Sequence, residues 1–237
     1  ISGQRALQKF RRRSFVSGTG QLTFSFDHRP ALSGEDFLVS DCNRDAVAWL
    51  DRWPDWPAPA LVIYGPAGCG KSHLLQVFSS RAGARSLNGA KNEEAALACI
   101  DSSAAAYTAD DADTEFGEET LLHIYNAVAA TGGQILLTSS KAPKIWNPDL
   151  RDLSSRLLGA PACAIGRPDD TVIKGVLVKL FSDRQLSIDG TVIDFMVPRI
   201  ERSLDAARDL VDRIDRAALA RRREITLPFV RGILTEL

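Results

Sequence analysis

Long apolar runs are missing from this chain: nothing approaches the roughly 18 consecutive apolar residues that a membrane-spanning helix needs. The N-terminus also lacks the basic, apolar, small-residue order of a secretory signal. Neither spanning nor export is expected, and a cytoplasmic location is. Histidine and cysteine are scarce. His28, His73 and His123 stand far apart, and Cys42, Cys69, Cys99 and Cys163 contain no C-x-x-C pair or metal-ligand spacing. Reduced thiols are expected, and no metal centre is built from these residues. An excess of charge of either sign is lacking too. A formal net charge of −1 excludes a globally basic nucleic-acid binder, and the runs Arg11 to Arg13 and Arg221 to Arg223 read as solvated surface.

What the chain does have is a globular composition, 45% hydrophobic and 25% charged over 237 residues, enough for one large domain or two modest ones. Asp41 or Asn43 can cap a helix that runs to about Trp53, where Pro54, Pro57 and Pro59 forbid continuation. Ala60 to Tyr64 is a short apolar run of the kind a buried parallel strand needs, followed by a glycine-rich loop and a helix from Lys71 to Arg81 that stops at Gly83. A short helix over Asn92 to Ile100, a strand over Ala104 to Ala109, an amphipathic helix over Glu118 to Ala130 and a strand over Gln134 to Ser139 follow. A helix near Leu150 to Leu158 and a strand near Ala162 to Ile165 complete the alternation. Such a βα series implies a parallel sheet covered on both faces. After Gly166-Arg167-Pro168 only helical patterns remain: Asp170 to Asp183, Thr191 to Arg199, Leu204 to Arg222, and Pro228 to Leu237. They predict a small all-helical second domain.

Gly65-Pro66-Ala67-Gly68-Cys69-Gly70-Lys71-Ser72 matches G-x-x-x-x-G-K-[ST] between a predicted strand and a predicted helix, the context a phosphate-binding loop requires. The glycines let backbone N–H groups converge on phosphate oxygens, and the helix presents its positive end to the same anion. Lys71 is expected on the β- and γ-phosphates and Ser72 on Mg²⁺, with ADP or ATP as the nucleotide. His73 closes the phosphate-binding set without a separate role. The strand ending in Asp110, Asp111 and Asp113 would place carboxylates beside the metal and the attacking water. Asp110 is the expected metal-side group and Asp111 the water-orienting one. An Asp at the latter position reaches less far than Glu, so slow intrinsic hydrolysis is expected. Thr138, Ser139 or Ser140 can sense a γ-phosphate from the next strand. Arg156 is the helix-borne guanidinium that can act on a phosphoryl group in a neighbouring subunit.

The loop ending in Lys71-Ser72-His73, the Ala109-Asp110-Asp111 strand end, the Leu136-Leu137-Thr138-Ser139 strand, the Leu153-x-Ser-Arg156 helix and a closing helical lid, in this order, resemble the AAA+ module of the bacterial initiator DnaA. The likeness runs from about Phe37 to Leu237, and it is nearer to the Hda-type regulators, on the closing Ile225-Thr-Leu-Pro-Phe-Val-Arg-Gly-Ile-Leu stretch. It implies a five-stranded parallel αβα sandwich (27–166) followed by a helical lid (167–237), after a flexible segment (1–20). No residues are left for the initiator's C-terminal helix-turn-helix, so sequence-specific origin binding is not expected. Gln21, Leu22, Phe24 and Phe26, in the segment 21–26, resemble the peptide that docks on the DNA polymerase sliding clamp. The partners implied are DnaA and that clamp, with DNA reached only through it, self-association left open, and no membrane. Where this family carries a nucleotide-sensing Arg on a lid helix, the alignment puts Asp205 here. Arg202 and Arg208 lie three residues to either side, and Arg202 is taken into the nucleotide-binding set.

Overall fold

The structure is a computed structural model that describes residues 38–90 and 92–235. The segment 21–26, and with it Gln21, Leu22, Phe24 and Phe26, lies outside the described residues.

Five short strands form one all-parallel sheet: β1 (Ala60–Tyr64), β2 (Arg85–Ser86), β3 (Ala106–Ala109), β4 (Gln134–Ser139) and β5 (Ala162–Ala164), in the order β2-β3-β4-β1-β5. β1 lies inside the sheet between β4 and β5, with Ile63 opposite Thr138 and Tyr64 opposite Ser139 on β4, so the ends of β1 and β4 open side by side. Strand side chains alternate between faces. Leu61 and Ile63 accordingly pack with α1 (Arg44–Asp51) and α2 (Lys71–Ala82) through Val47, Leu50, Leu74 and Phe78. Ala60 and Val62 pack on the other face with α5 (Glu118–Ala130) and α7 (Arg151–Gly159) through Leu121, Val128, Leu153 and Leu157. Both faces of the sheet are covered, and the fold is a three-layer αβα sandwich, as expected.

The four remaining long elements, α8 (Asp170–Asp183), α9 (Gly190–Met196), α10 (Leu204–Arg221) and α11 (Leu227–Thr235), enclose a separate core built on Leu177, Phe181, Met196, Val211, Ile214 and Val230. On α10 the buried positions Ala207, Leu210, Val211, Ile214 and Ala218 follow helical spacing and leave the arginines and aspartates outside.

Three short elements depart from the sequence reading: β2, α4 (Ala112–Glu115) and α6 (Pro143–Trp146). A strand of two residues shows no alternation and a helix of four shows no period, so only their tertiary partners reveal them. The capping expected of Asn43 is also absent. Asn43 stands at the N-cap of α1, but its side chain turns back, accepting from Ser40 N–H at 2.9 Å and donating to the Leu38 carbonyl at 2.9 Å.

Candidate phosphate-binding site

The loop from Gly65 to Gly70 leaves the end of β1 and enters α2. Gly68 and Gly70 have φ of 68° and 104°, a left-handed region that a Cβ disfavours. Gly65 is required for a different reason: a Cβ there would run into the Ile165 carbonyl. Lys71, only 8% exposed, curls back over the loop and donates to the carbonyls of Gly65 at 3.1 Å and Pro66 at 3.3 Å. Its ammonium lies 3.8 Å from the Asp111 carboxylate.

Loop, acidic strand end and lid together wall a cavity of about 310 Å³. Ala67, Gly68, Gly70, Lys71, Ser72 and His73 form one side, Asp111, Asp113, Thr114 and Ser140 the second, and Leu204, Asp205 and Arg208 the third. Gly65, Pro66 and Cys69 do not line this cavity, and burial pushes the Cys69 thiol up. The lid touches the loop directly: Leu204 N–H donates to the Gly68 carbonyl at 2.8 Å, and the Leu204 side chain abuts Gly70.

The acidic pair is placed differently from the expectation. Asp110, read as the metal-side group, does not reach the cavity wall, because its carboxylate accepts from the Thr138 hydroxyl. Asp111 faces the cavity instead, with φ of 45° and its N–H donated to Thr138 Oγ1 at 2.8 Å. Burial raises its pKa, and Asp110 adds to the rise, against the pull of Lys71. Of the three hydroxyls considered as sensors, Thr138 is spent on the acidic pair, Ser139 donates to the Lys141 carbonyl at 2.8 Å, and Ser140 alone lines the cavity.

Two arginines are elsewhere. Arg202, placed in the nucleotide-binding set, pairs with Asp170 at 2.9 Å and is not on the cavity wall, since it precedes α10 whereas Asp205 and Arg208 lie in its first turns. Those two pair with each other at 2.8 Å. Arg156 is half-buried on α7, its guanidinium 5.3 Å from the centre of the Tyr125 ring, and it does not reach the cavity of its own chain.

Bare glycine amides opposite a buried lysine and a helix N-terminus fit a chain of phosphates. A divalent metal fits only with them. Ser72, Asp111, Asp113 and Ser140 offer the oxygen ligands that Mg²⁺ prefers, yet among the described residues no group of three or more His, Cys, Asp or Glu could hold a metal unaided. Phosphate oxygens would have to complete the set.

Comparison with known proteins agrees with this geometry. A family model described as the Hda lid domain matches residues 173–234, the helices that close over the loop. The helical lid is thus similar to that of the Hda-type proteins related to DnaA. It is 27% identical to the chromosomal replication initiator DnaA of Thermomicrobium roseum over 91% of its length, but spans only 52% of that initiator. Domain III of Thermotoga maritima DnaA superposes with a TM-score of 0.71 at 20% identity, covering 88% of this chain and 97% of that one. AMPPCP-bound DnaA from Aquifex aeolicus gives a TM-score of 0.61 at 20% identity over 76% of this chain and 64% of that one. At such identities the structural likeness speaks for the fold alone.

Asn88 escaped the sequence reading although it holds the backbone of Asp110 on both sides. It follows the two-residue β2, and no local pattern marks it. Leu204 was missed as well, as one more apolar residue of α10. No helix among the described residues is long and apolar enough to cross a membrane.

Proposed function

We propose that this protein is a nucleotide-binding regulator that docks on the DNA-loaded sliding clamp and stimulates ATP hydrolysis on DnaA, leaving the initiator in its ADP-bound state. The observation that carries the reading is an Hda-type lid seated directly on a phosphate loop, with Arg156 kept out of its own cavity. In this reading the loop glycines, Lys71 and Ser72 hold ADP or ATP, and support comes from the Aquifex DnaA of similar fold, which binds AMPPCP. Mg²⁺ neutralises phosphate charge there, with Ser72 and Asp111 as its protein-side oxygens. Residues 27–166 form the nucleotide-binding domain and 167–237 the lid.

Arg156 serves the nucleotide of a partner. Its guanidinium is half-buried over Tyr125 on a helix anchored by Leu153 and Leu157, so it is pre-positioned rather than free. A guanidinium delivered in trans can supply rate factors of about 10³ to 10⁵ in phosphoryl transfer. Asp205 speaks against a self-sufficient ATPase. On the lid wall it holds Arg208 in an ion pair, offsetting the lid cation that would otherwise aid turnover. Gln21, Leu22, Phe24 and Phe26 supply the clamp contact.

The test follows ATP bound to DnaA over time with this protein present, with and without clamp loaded on DNA. Acceleration that requires the clamp is the expected result. Rapid ATP turnover by this protein alone would make it a loader-type ATPase, and clamp and DnaA binding without acceleration would make it an adaptor.

A further inference from the structure

Two guanidiniums of the lid converge on one aromatic ring. Phe195, half-buried on α9, has Arg199 Cζ at 3.9 Å and Arg231 Cζ at 5.4 Å from its ring centre. Those two distances keep the cations within about 9 Å of each other. Arg199 ends the 3₁₀ turn Val197–Arg199 that follows α9, and Arg231 lies on α11; both are exposed. α9 is anchored in the lid core by Val192, Ile193 and Met196. Arg199 also donates to the Phe195 carbonyl at 2.8 Å, which leaves most of its N–H donors unspent. Other lid cations are matched with carboxylates: Lys174 with Asp194, Arg184 with Asp212, Arg202 with Asp170 and Arg208 with Asp205. Among the described residues Arg199 and Arg231 have no carboxylate partner, so two like charges are held together without a counter-ion. Guanidiniums pair with phosphate through two parallel N–H donors. A DNA strand presents one phosphate per about 3.4 Å of helix axis, so a span of this size takes two phosphates in succession. Neither arginine lines the phosphate-loop cavity, and the patch is separate from it.

We propose that Arg199 and Arg231, held on Phe195, form a contact for the phosphate backbone of duplex DNA, by which the lid touches the DNA that threads the clamp. The proposal rests on the clamp-docking reading above for what brings DNA near. A chain of formal net charge −1 has no general attraction for DNA, and two phosphate contacts alone bind weakly. Docking on a clamp that encircles the same DNA makes the second contact intramolecular and raises its effective concentration. The ring already fixes both side chains, so little rotamer freedom is lost on binding. Backbone contacts of this kind read no base, and the DNA sequence does not matter. DNA, expected only through the clamp, is then met by the lid as well.

The experiment measures binding of the whole protein to free clamp, to clamp loaded on end-blocked duplex DNA, and to that duplex alone, over a series of KCl concentrations. Wild type is compared with the double variants Arg199→Gln/Arg231→Gln and Arg199→Lys/Arg231→Lys. At low salt wild type should prefer loaded over free clamp by roughly tenfold or more. That preference should fall on a log–log plot against salt with a slope of about −1.8, the counterion release of two phosphates. The Gln variant should lose both preference and slope and keep its affinities for free clamp and ADP within about twofold. The Lys variant should keep most of the slope, since it retains both charges, and it guards against a misfolded Gln variant. Equal binding of wild type to free and loaded clamp, a slope unchanged in the Gln variant, or a parallel loss of ADP affinity would each overturn the proposal. Arginine-dependent capture by phosphatidylglycerol vesicles without binding to DNA would overturn it too. If wild type binds no clamp, the clamp reading fails by itself and the duplex alone decides. Low-salt binding that the Gln variant weakens then keeps the proposal, and equal binding by both overturns it.

Discussion

At Asp111 a left-handed backbone, a partly desolvated carboxylate and a neighbouring Asp110 all raise the energy of the folded chain, and only Lys71 opposes them. Asp111→Asn should therefore raise the melting temperature modestly at neutral pH, since Asn tolerates this backbone better and carries no charge to desolvate. The sign follows from the raised pKa. The folded chain holds the Asp111 proton to higher pH than the unfolded chain, so stability from this group is fullest below the unfolded carboxylate pKa and is lost as pH rises through the folded one. The advantage of Asn should shrink as pH falls through the carboxylate range, which thermal melts at several pH values would show. Lys71 carries the opposite expectation. Lys71→Ala removes the ammonium that meets the phosphates, and equilibrium binding of labelled ADP should fall by at least about two orders of magnitude, the scale of a lost charge-assisted contact.

The element that decides whether the site is closed is the first turn of α10. Its Leu204 N–H, an unsatisfied donor of the helix N-terminus, is given to the Gly68 carbonyl of the phosphate loop. Gly68 admits this approach because it lacks a Cβ, which would strike the Ser203 hydroxyl, and because its φ of 68° suits glycine. Gly68→Ala should push α10 away from the loop. The expected outcome is faster amide exchange at Leu204 together with weaker ADP binding, and unchanged exchange at Leu204 would show that the lid contact does not depend on this glycine. Much of this element was legible beforehand, since the amphipathic stripe from Ala207 to Ala218 is a helix on spacing alone. Its rotation about the loop was not, and that rotation puts Asp205 and Arg208 on the cavity wall and sends Arg202 to Asp170.

At the scale of the whole molecule the predictions concern what the chain does to others. Arg156→Ala should leave ADP affinity near wild type, because Arg156 is not on its own cavity wall, while stimulated hydrolysis on DnaA drops by about 10³ or more. Arg156→Lys should rescue little, because a point charge cannot reproduce the planar fork or its stacking on Tyr125. Replacing Gln21 and Leu22 by Ala should abolish capture by purified clamp and spare nucleotide binding, since a handful of anchors carries such a peptide interface. Full retention would make Gln21 to Phe26 an ordinary segment of the chain.

The chain's local patterns were enough to determine the parallel sheet, the phosphate loop and the helical lid. An apolar run, two glycines with a following Lys71-Ser72, and a 3.6-residue period are all written within a few neighbouring positions. Tertiary structure alone decided which carboxylate of the Asp110-Asp111 pair faces the cavity, which residue among Thr138, Ser139 and Ser140 lines it, and that Leu204 closes on the loop. For the acidic strand end the physical reason is a distant partner. The orientation of a side chain at a strand end depends on a hydrogen-bond partner 22 to 28 residues away, and only the closing of the sheet brings that partner within reach.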